Sequence, residues 1–205
     1  MKIIFLTNNN ISYDLYLWLK EIKHEEVVLI EKKINLNDIK AIKPDFIISY
    51  NYKFIITEDI IKHMGNRVIN LHISFLPWNR GADPNVWSFL ENTKKGITIH
   101  LVDPGLDTGD ILLRKEVLFD ESIETFSSTY IKLHNEIKIL FKENWDKIKQ
   151  SRIITQKQSI GGSFHYVKDL ESIKAKIGLD SWDIPIKVVK NKYDEYMRCK
   201  NGSNI

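Results

Sequence analysis

Cysteine is nearly missing from this chain: Cys199 stands alone among 205 residues, in a polar tail. One thiol gives no disulfide framework, and the expected setting is reducing and cytoplasmic. Long apolar runs are missing too. The opening Ile3-Ile4-Phe5-Leu6 gives way at once to Thr7 and three asparagines, too short for a signal peptide or a membrane span. No charge sign dominates: 30 basic and 27 acidic residues leave +3. That balance suits an anionic small substrate and argues against a nucleic-acid partner or a membrane surface. Glycine is scarce early, with none before Gly65. No Gly-x-Gly-x-x-Gly therefore follows the first apolar segment, which disfavours a dinucleotide oxidoreductase. No His-Glu-x-x-His or similar spacing occurs, and no metal is expected. Repeats and low-complexity segments are absent.

What remains is an ordinary globular composition, 43% hydrophobic and 28% charged, with length for one core that holds a cleft without staples. Short apolar runs at Ile3–Leu6, Glu26–Ile30, Asp45–Ser49 and Arg67–Leu71 read as strands. Helical patterns over 11–22, 36–42 and 58–63 separate them. The alternation predicts an α/β, Rossmann-like fold, a mostly parallel sheet flanked by helices, with ligands beyond the carboxyl ends of the strands. Gly96–Val102 and Ile111–Val117 are further strand candidates, and 86–90 a short helix. The clearest helix is 123–148, where Ile123, Phe126, Tyr130, Leu133, Ile137, Leu140 and Ile148 form one stripe, with Asp120 or Ser122 as expected cap. The expected division is a catalytic core over 1–150 and a C-terminal extension over 151–205 laid on it. The extension is expected to fray after Lys190 and to be the place for a homodimer contact.

Two segments concentrate chemically capable side chains. The first runs Asn70-Leu71-His72-Ile73-Ser74-Phe75-Leu76-Pro77-Trp78-Asn79-Arg80-Gly81, the second Val102-Asp103-Pro104-Gly105-Leu106-Asp107-Thr108-Gly109-Asp110. A strand through Asn70 and His72 puts both on one side where strand meets loop. The second segment follows another strand end and can bring a carboxylate against them. Taken singly, each residue has a bland reading: Asn70 ends a strand, His72 is a core histidine, Asp107 is a turn residue. His100 lies inside a strand pattern, where packing is its ordinary reading.

The joint pattern resembles the folate-dependent formyltransferase family. Asn70-Leu71-His72, Ser74 and Leu76-Pro77 are similar to its Asn-x-His-x-Ser-x-Leu-Pro signature, and Leu106-Asp107-Thr108-Gly109 to its Leu-Asp-(Thr/Gly)-Gly signature. The resemblance covers residues 1–120, more faintly Gly161–Leu170. It implies 10-formyltetrahydrofolate as co-substrate, with Ser49, Tyr50, Asn51, Tyr52, Val102, Asp103 and Leu106 as binding candidates, and Asn70, His72 and Asp107 as the catalytic set. The chemistry fits those types. An amine attacking a formyl carbon makes a tetrahedral oxyanion, which Asn70 and His72 can meet as donors while Asp107 orients the imidazole or relays a proton.

The resemblance offers three acceptors: methionyl-tRNA, glycinamide ribonucleotide and nucleotide-linked amino sugars. The tRNA enzymes carry a further RNA-binding domain, which the 205 residues leave no room for. The purine enzymes carry a glycine-bearing phosphate loop where this chain has Thr7-Asn8-Asn9-Asn10. Ser49–Tyr52 and Ala82-Asp83-Pro84-Asn85 are most similar to the sugar N-formyltransferases of surface-glycan synthesis. A UDP- or dTDP-linked 4-amino-4,6-dideoxy sugar is therefore the favoured acceptor, with Ser74, Trp78, Arg80, Asp83 and His165 as its contacts. Among these Arg80 matches phosphate through its bidentate guanidinium. From other classes, a metal-dependent hydrolase using His72, Asp103, Asp107 and Asp110, or a noncatalytic folate- or nucleotide-sugar-binding module, would use the same residues.

Overall fold

The computed structural model describes residues 1–202. Four strands come first: β1 (Lys2–Leu6), β2 (Glu26–Ile30), β3 (Phe46–Tyr50) and β4 (Val68–His72). Two further strands, β5 (Arg80–Gly81) and β8 (Phe164–His165), form a separate parallel ribbon. With β6 (Gly96–Leu101) and β7 (Ile111–Glu116) the first four make a six-stranded sheet in the order β2-β1-β3-β4-β6-β7. β1, β2, β3 and β4 pair in parallel, and β6 runs antiparallel to β4. The helices are α1 (Tyr13–Leu17, running on as a π turn over Trp18–Ile22), α2 (Leu36–Ile42), α3 (Glu58–Met64), α4 (Pro84–Leu90), α5 (Phe126–Ile148), α6 (Val167–Ile173) and α7 (Ile186–Gly202). The mostly parallel sheet flanked by helices agrees with the sequence expectation.

The chain divides into two compact units. The first is made of Met1–His72, Thr98–Arg114 and Ile137–Ser159, and the second of Ile73–Ile97, Lys115–Glu136 and residues from Ile160 on. The segment expected as one extension is thus distributed: 151–159 goes with the first unit and the rest with the second. Backbone pairing explains it, because Gln156 bridges to Ile111 in the first unit while Phe164 pairs with Arg80 in the second.

In the first unit one core packs Ile4, Leu6, Ile39, Ile47, Ile60, Met64 and Val68 between the sheet and α2 and α3. Strands buried on both faces need continuous apolar runs, which β1 and β3 supply. Asn35 caps α2 by accepting from the Asn37 and Asp38 amides, and Asp38 returns the bond to the Asn35 amide. On the opposite face Trp145 of α5 packs edge-on against Phe46, with ring centroids 5.7 Å apart.

The second unit has its own core of Val86, Trp87, Phe89, Phe126, Leu170, Ile177, Ile186 and Val189. Two expectations are corrected here. α5 starts at Phe126, not Ile123, which is 74% exposed; Thr125 caps it by accepting from the Ser128 amide, while Asp120 caps only the preceding turn. α7 does not fray at Lys190 but continues to Gly202, because Tyr193 and Tyr196 pack on the core one and two turns beyond Val189.

Candidate active site

β3, β4 and β6 lie side by side, and their register builds a row of polar side chains. Ser49 is the partner of Asn70, and Asn70 is the partner of His100 across the antiparallel pair. Partners directly opposite one another share a face of the sheet. Two residues along β4, His72 lies on that face again, its ring centroid 6.4 Å from that of His100.

The third group comes from the turn between β6 and β7. Leu101 N–H donates to Asp110 O at 2.9 Å, closing its base. Gly109 fits only because it lacks a side chain: a Cβ there would lie 1.9 Å from Leu101 O. Asp107 has φ of +53° and turns its carboxylate back over the strands. Its Oδ1 accepts from Asn70 Nδ2 at 3.1 Å and lies 3.4 Å from His100 Nε2; its Oδ2 lies 3.7 Å from His72 Nδ1. His72 is 8% exposed, so the group works largely out of solvent. The sequence expectation placed Asn70, His72 and Asp107 together, and the three meet around this carboxylate.

His100 is the residue that sequence reasoning left as packing. Its Nδ1 lies 2.7 Å from Leu101 O, and a carbonyl only accepts, so Nδ1 carries the proton. In the neutral ring Nε2 is then an acceptor, 3.3 Å from Asn70 Nδ2. The amide nitrogen of Asn70 therefore faces two acceptors. The three separations (3.1, 3.3 and 3.4 Å) set those acceptors about 64° apart as seen from Nδ2, roughly half the angle between the two N–H bonds of an amide. The Asn70 amide is thus held between the Asp107 carboxylate and the His100 ring. The signal for His100 was its alternation with Thr98 in β6, but its value depended on knowing that β6 lies beside β4.

The remaining candidates of the first unit surround the same strand ends. Ser49 is 7% exposed at the end of β3, and Tyr50 is fully buried, its carbonyl accepting from Ser12 Oγ at 3.3 Å. Asn51 is left-handed at φ +55°; it donates to Ser12 Oγ at 2.9 Å, and its carbonyl accepts from Asn8 N–H at 2.9 Å. The Tyr52 hydroxyl donates to Lys32 O and accepts from Ile34 N–H, so it holds a loop; burial pushes its pKa up. Val102 packs on the core, Asp103 accepts from Thr108 Oγ1 at 2.6 Å, and Leu106 is 48% exposed.

The other five candidates belong to the second unit. Ser74 is buried and donates to Trp78 O. His165 is buried too, stacked on Trp87 at 4.0 Å with Nε2 3.2 Å from Glu91 Oε2. Those two side chains brace the unit internally. Trp78 is 38% exposed, and Arg80 starts the ribbon of β5 and β8. Asp83 precedes α4 at φ +51°; burial pushes its carboxyl up, as does Glu171, against Lys174 and His165. Asn79, absent from the expectations, is fully buried and bonded to Thr93 and Ser163.

Among the described residues no group of three or more His, Cys, Asp or Glu could hold a metal ion. No helix there is long and apolar enough to cross a membrane.

The chain is similar in sequence and fold to known proteins. The formyl transferase family model matches residues 19–143. Methionyl-tRNA formyltransferase of Caldanaerobacter subterraneus is 32% identical over 76% of this chain and 49% of its own length. The dTDP-4-amino-4,6-dideoxyglucose formyltransferase of Mycobacterium tuberculosis is 33% identical over 54% of this chain and 47% of its own. The chain thus spans about half the length of those relatives. Among solved structures, the formyltransferase PseJ from Anoxybacillus kamchatkensis is 41% identical, with a TM-score of 0.85 over 94% of this chain and 100% of that one. PseJ was solved in complex with UDP-4,6-dideoxy-4-formamido-L-AltNAc and tetrahydrofolate.

Proposed function

The chain belongs to the formyl transferase family, and from that premise we propose that it moves the formyl group of 10-formyltetrahydrofolate to the 4-amino group of a UDP-linked 4-amino-4,6-dideoxy sugar. The observation that carries this reading is the likeness to PseJ along that protein's whole length, at 41% identity. That likeness favours UDP as the carrier, which the sequence left between UDP and dTDP.

In the reaction the amine lone pair forms a bond to the formyl carbon, the carbonyl electrons move onto oxygen, and the folate C–N10 bond then breaks. The amine loses one proton and N10 gains one. Asn70, held beside Asp107 through Nδ2, donates an N–H to the oxyanion as the amine attacks, a contact worth about 2.7–4 kcal/mol of barrier. His72 is the second donor. Asp107, bonded to Asn70 through one oxygen and beside His72 through the other, keeps both side chains oriented and receives the amine proton through a water. The folate would lie along the strand ends, held by the backbone at 49–52 and by the turn from Val102 to Leu106. Ser74, Trp78, Arg80, Asp83 and His165 are the proposed acceptor contacts, with Arg80 on the diphosphate.

A second reading, formylation of methionyl-tRNA, is favoured by the 32% identity to the Caldanaerobacter enzyme. The two separate in one experiment. The protein is incubated with formylated folate and a panel of UDP- and dTDP-linked 3-amino and 4-amino sugars, glycinamide ribonucleotide and initiator methionyl-tRNA, and products are weighed by mass spectrometry. One formyl mass gained by a UDP-4-amino sugar is expected. Formylation of the tRNA with none of any sugar would overturn the proposal. With it go a cytoplasmic homodimer, with its contact in residues 151–205, and a role in surface-glycan synthesis. Light scattering that returns a monomer mass would remove the dimer.

A further inference from the structure

We propose that Gln158 is a positioning residue that clips the turn carrying Asp107 into its working conformation. The inference rests on the formyltransferase reading of Asp107. It starts from a mismatch: the acid must hold its carboxylate against Asn70 and His72, yet it stands in a turn with Gly105, Leu106 and Thr108 exposed and with its own φ at +53°. A non-glycine residue at positive φ persists where its surroundings fix it.

One carboxamide supplies that constraint. Gln158 Nε2 donates to Asp107 O at 2.8 Å and to Gly109 O at 2.9 Å. The two carbonyls flank Thr108, so the two N–H bonds close a clip across the turn. On its other side Thr108 Oγ1 donates to Asp103 Oδ1. Gln158 is itself kept in register two residues earlier, where Gln156 and Ile111 exchange backbone bonds of 2.9 and 2.7 Å at the start of β7. The clip and the turn are thus anchored to the same strand. Both of its donors go to carbonyls of the turn, so the role assigned to Gln158 is to set the geometry of that turn.

Glutamine suits this task for a specific reason. Its NH2 group offers two donors on one atom, and its length spans the gap from the Gln156 bridge. Glutamate has the same shape but would bring an oxygen against two carbonyl oxygens. Methionine keeps the length with no donor and no charge.

The test uses Gln158→Glu and Gln158→Met in the full chain, alone and combined with Asp107→Asn. Amide hydrogen exchange over residues 103–110 reads the clip directly, and formyl transfer to the UDP-4-amino sugar reads its consequence. Both single variants are expected to exchange faster in that segment and to lose about 10- to 100-fold in kcat, the scale of a small misplacement of a catalytic group, with the acceptor KM unchanged. In the Asp107→Asn background the same substitutions should cost less than about threefold further, since the group being positioned is already disabled. Unchanged exchange, wild-type kcat, or a full loss repeated in the Asp107→Asn background would overturn the inference. So would unfolding of both variants, which would make the role global. If Asp107→Asn alone kept the wild-type rate, the catalytic reading would fall, while the exchange result would still judge the clip.

Discussion

Replacing His100 with leucine removes one acceptor and one donor from a position 2% exposed. Leu101 O, partly buried, loses its 2.7 Å partner, and leaving an acceptor unsatisfied costs up to about 1–3 kcal/mol where it is out of water. The apolar side chain returns part of this through burial, so the net loss should be near 1–2 kcal/mol, a Tm drop of about 2–8 °C for a chain of this size. The effect on rate is separate. Asn70 Nδ2 now has Asp107 Oδ1 as its acceptor in place of two, and a neutral hydrogen bond is worth about 0.5–1.5 kcal/mol, so kcat should fall about 2- to 12-fold. The assay is steady-state formyl transfer under saturating folate and acceptor, with thermal melting in parallel. Histidine to glutamine serves as comparison, because its carbonyl oxygen can replace Nε2 as acceptor and should recover part of the rate. An unchanged kcat in His100→Leu would refute the dependence of Asn70 on this ring. A loss beyond about a thousandfold would refute it in the other direction, because a ring that only orients a neighbour cannot account for about 4 kcal/mol.

Three further outcomes follow from the second unit. Asp83 binds its proton more tightly in the folded chain than in the unfolded one, because burial disfavours the charge. Its contribution to stability is therefore present below the usual aspartate value of about 3.9 and lost as pH rises through the raised value. Asp83→Asn keeps the neutral form and tolerates φ +51°, so its Tm should exceed wild type at pH 7.5 and match it at pH 3.5; a lower Tm at pH 7.5 would contradict this. Gly162→Ala would put a Cβ 2.1 Å from Pro77 O at φ +99°, so it should lose at least about 2 kcal/mol by chemical denaturation. Arg80→Ala should raise the acceptor KM about tenfold with little change in kcat, the mark of a contact made equally before and during reaction.

The sheet was legible because strands buried on both faces must be written as unbroken apolar runs, and Ile3–Leu6 and Phe46–Ile48 are such runs. Asn70 and His72 were legible as a pair because period two puts them on one face, and Asp107 through the motif that contains it. His100 was not, because its meaning depends on which strand lies opposite: an antiparallel β6 beside β4 turns an ordinary strand histidine into a partner of Asn70. Gln158 was invisible for a similar reason, being a polar residue in a polar stretch until the chain brings it over the turn. The division of the chain could not be read either. Two-residue strands such as β5 and β8 carry no periodicity, yet their pairing draws residues after Ile160 to the loop that begins after β4.

The central claim is that Asn70, His72 and Asp107 act as one unit on one formyl carbon, and the rate of 13C-formyl transfer in Asn70→Ala, His72→Ala, Asp107→Asn and the triple variant tests it most directly. Each single loss should reach about 100- to 1000-fold, and the triple should be no more than about tenfold worse than the worst single. Losses that multiply through to the triple variant, or a His72→Ala enzyme at wild-type speed, would contradict it.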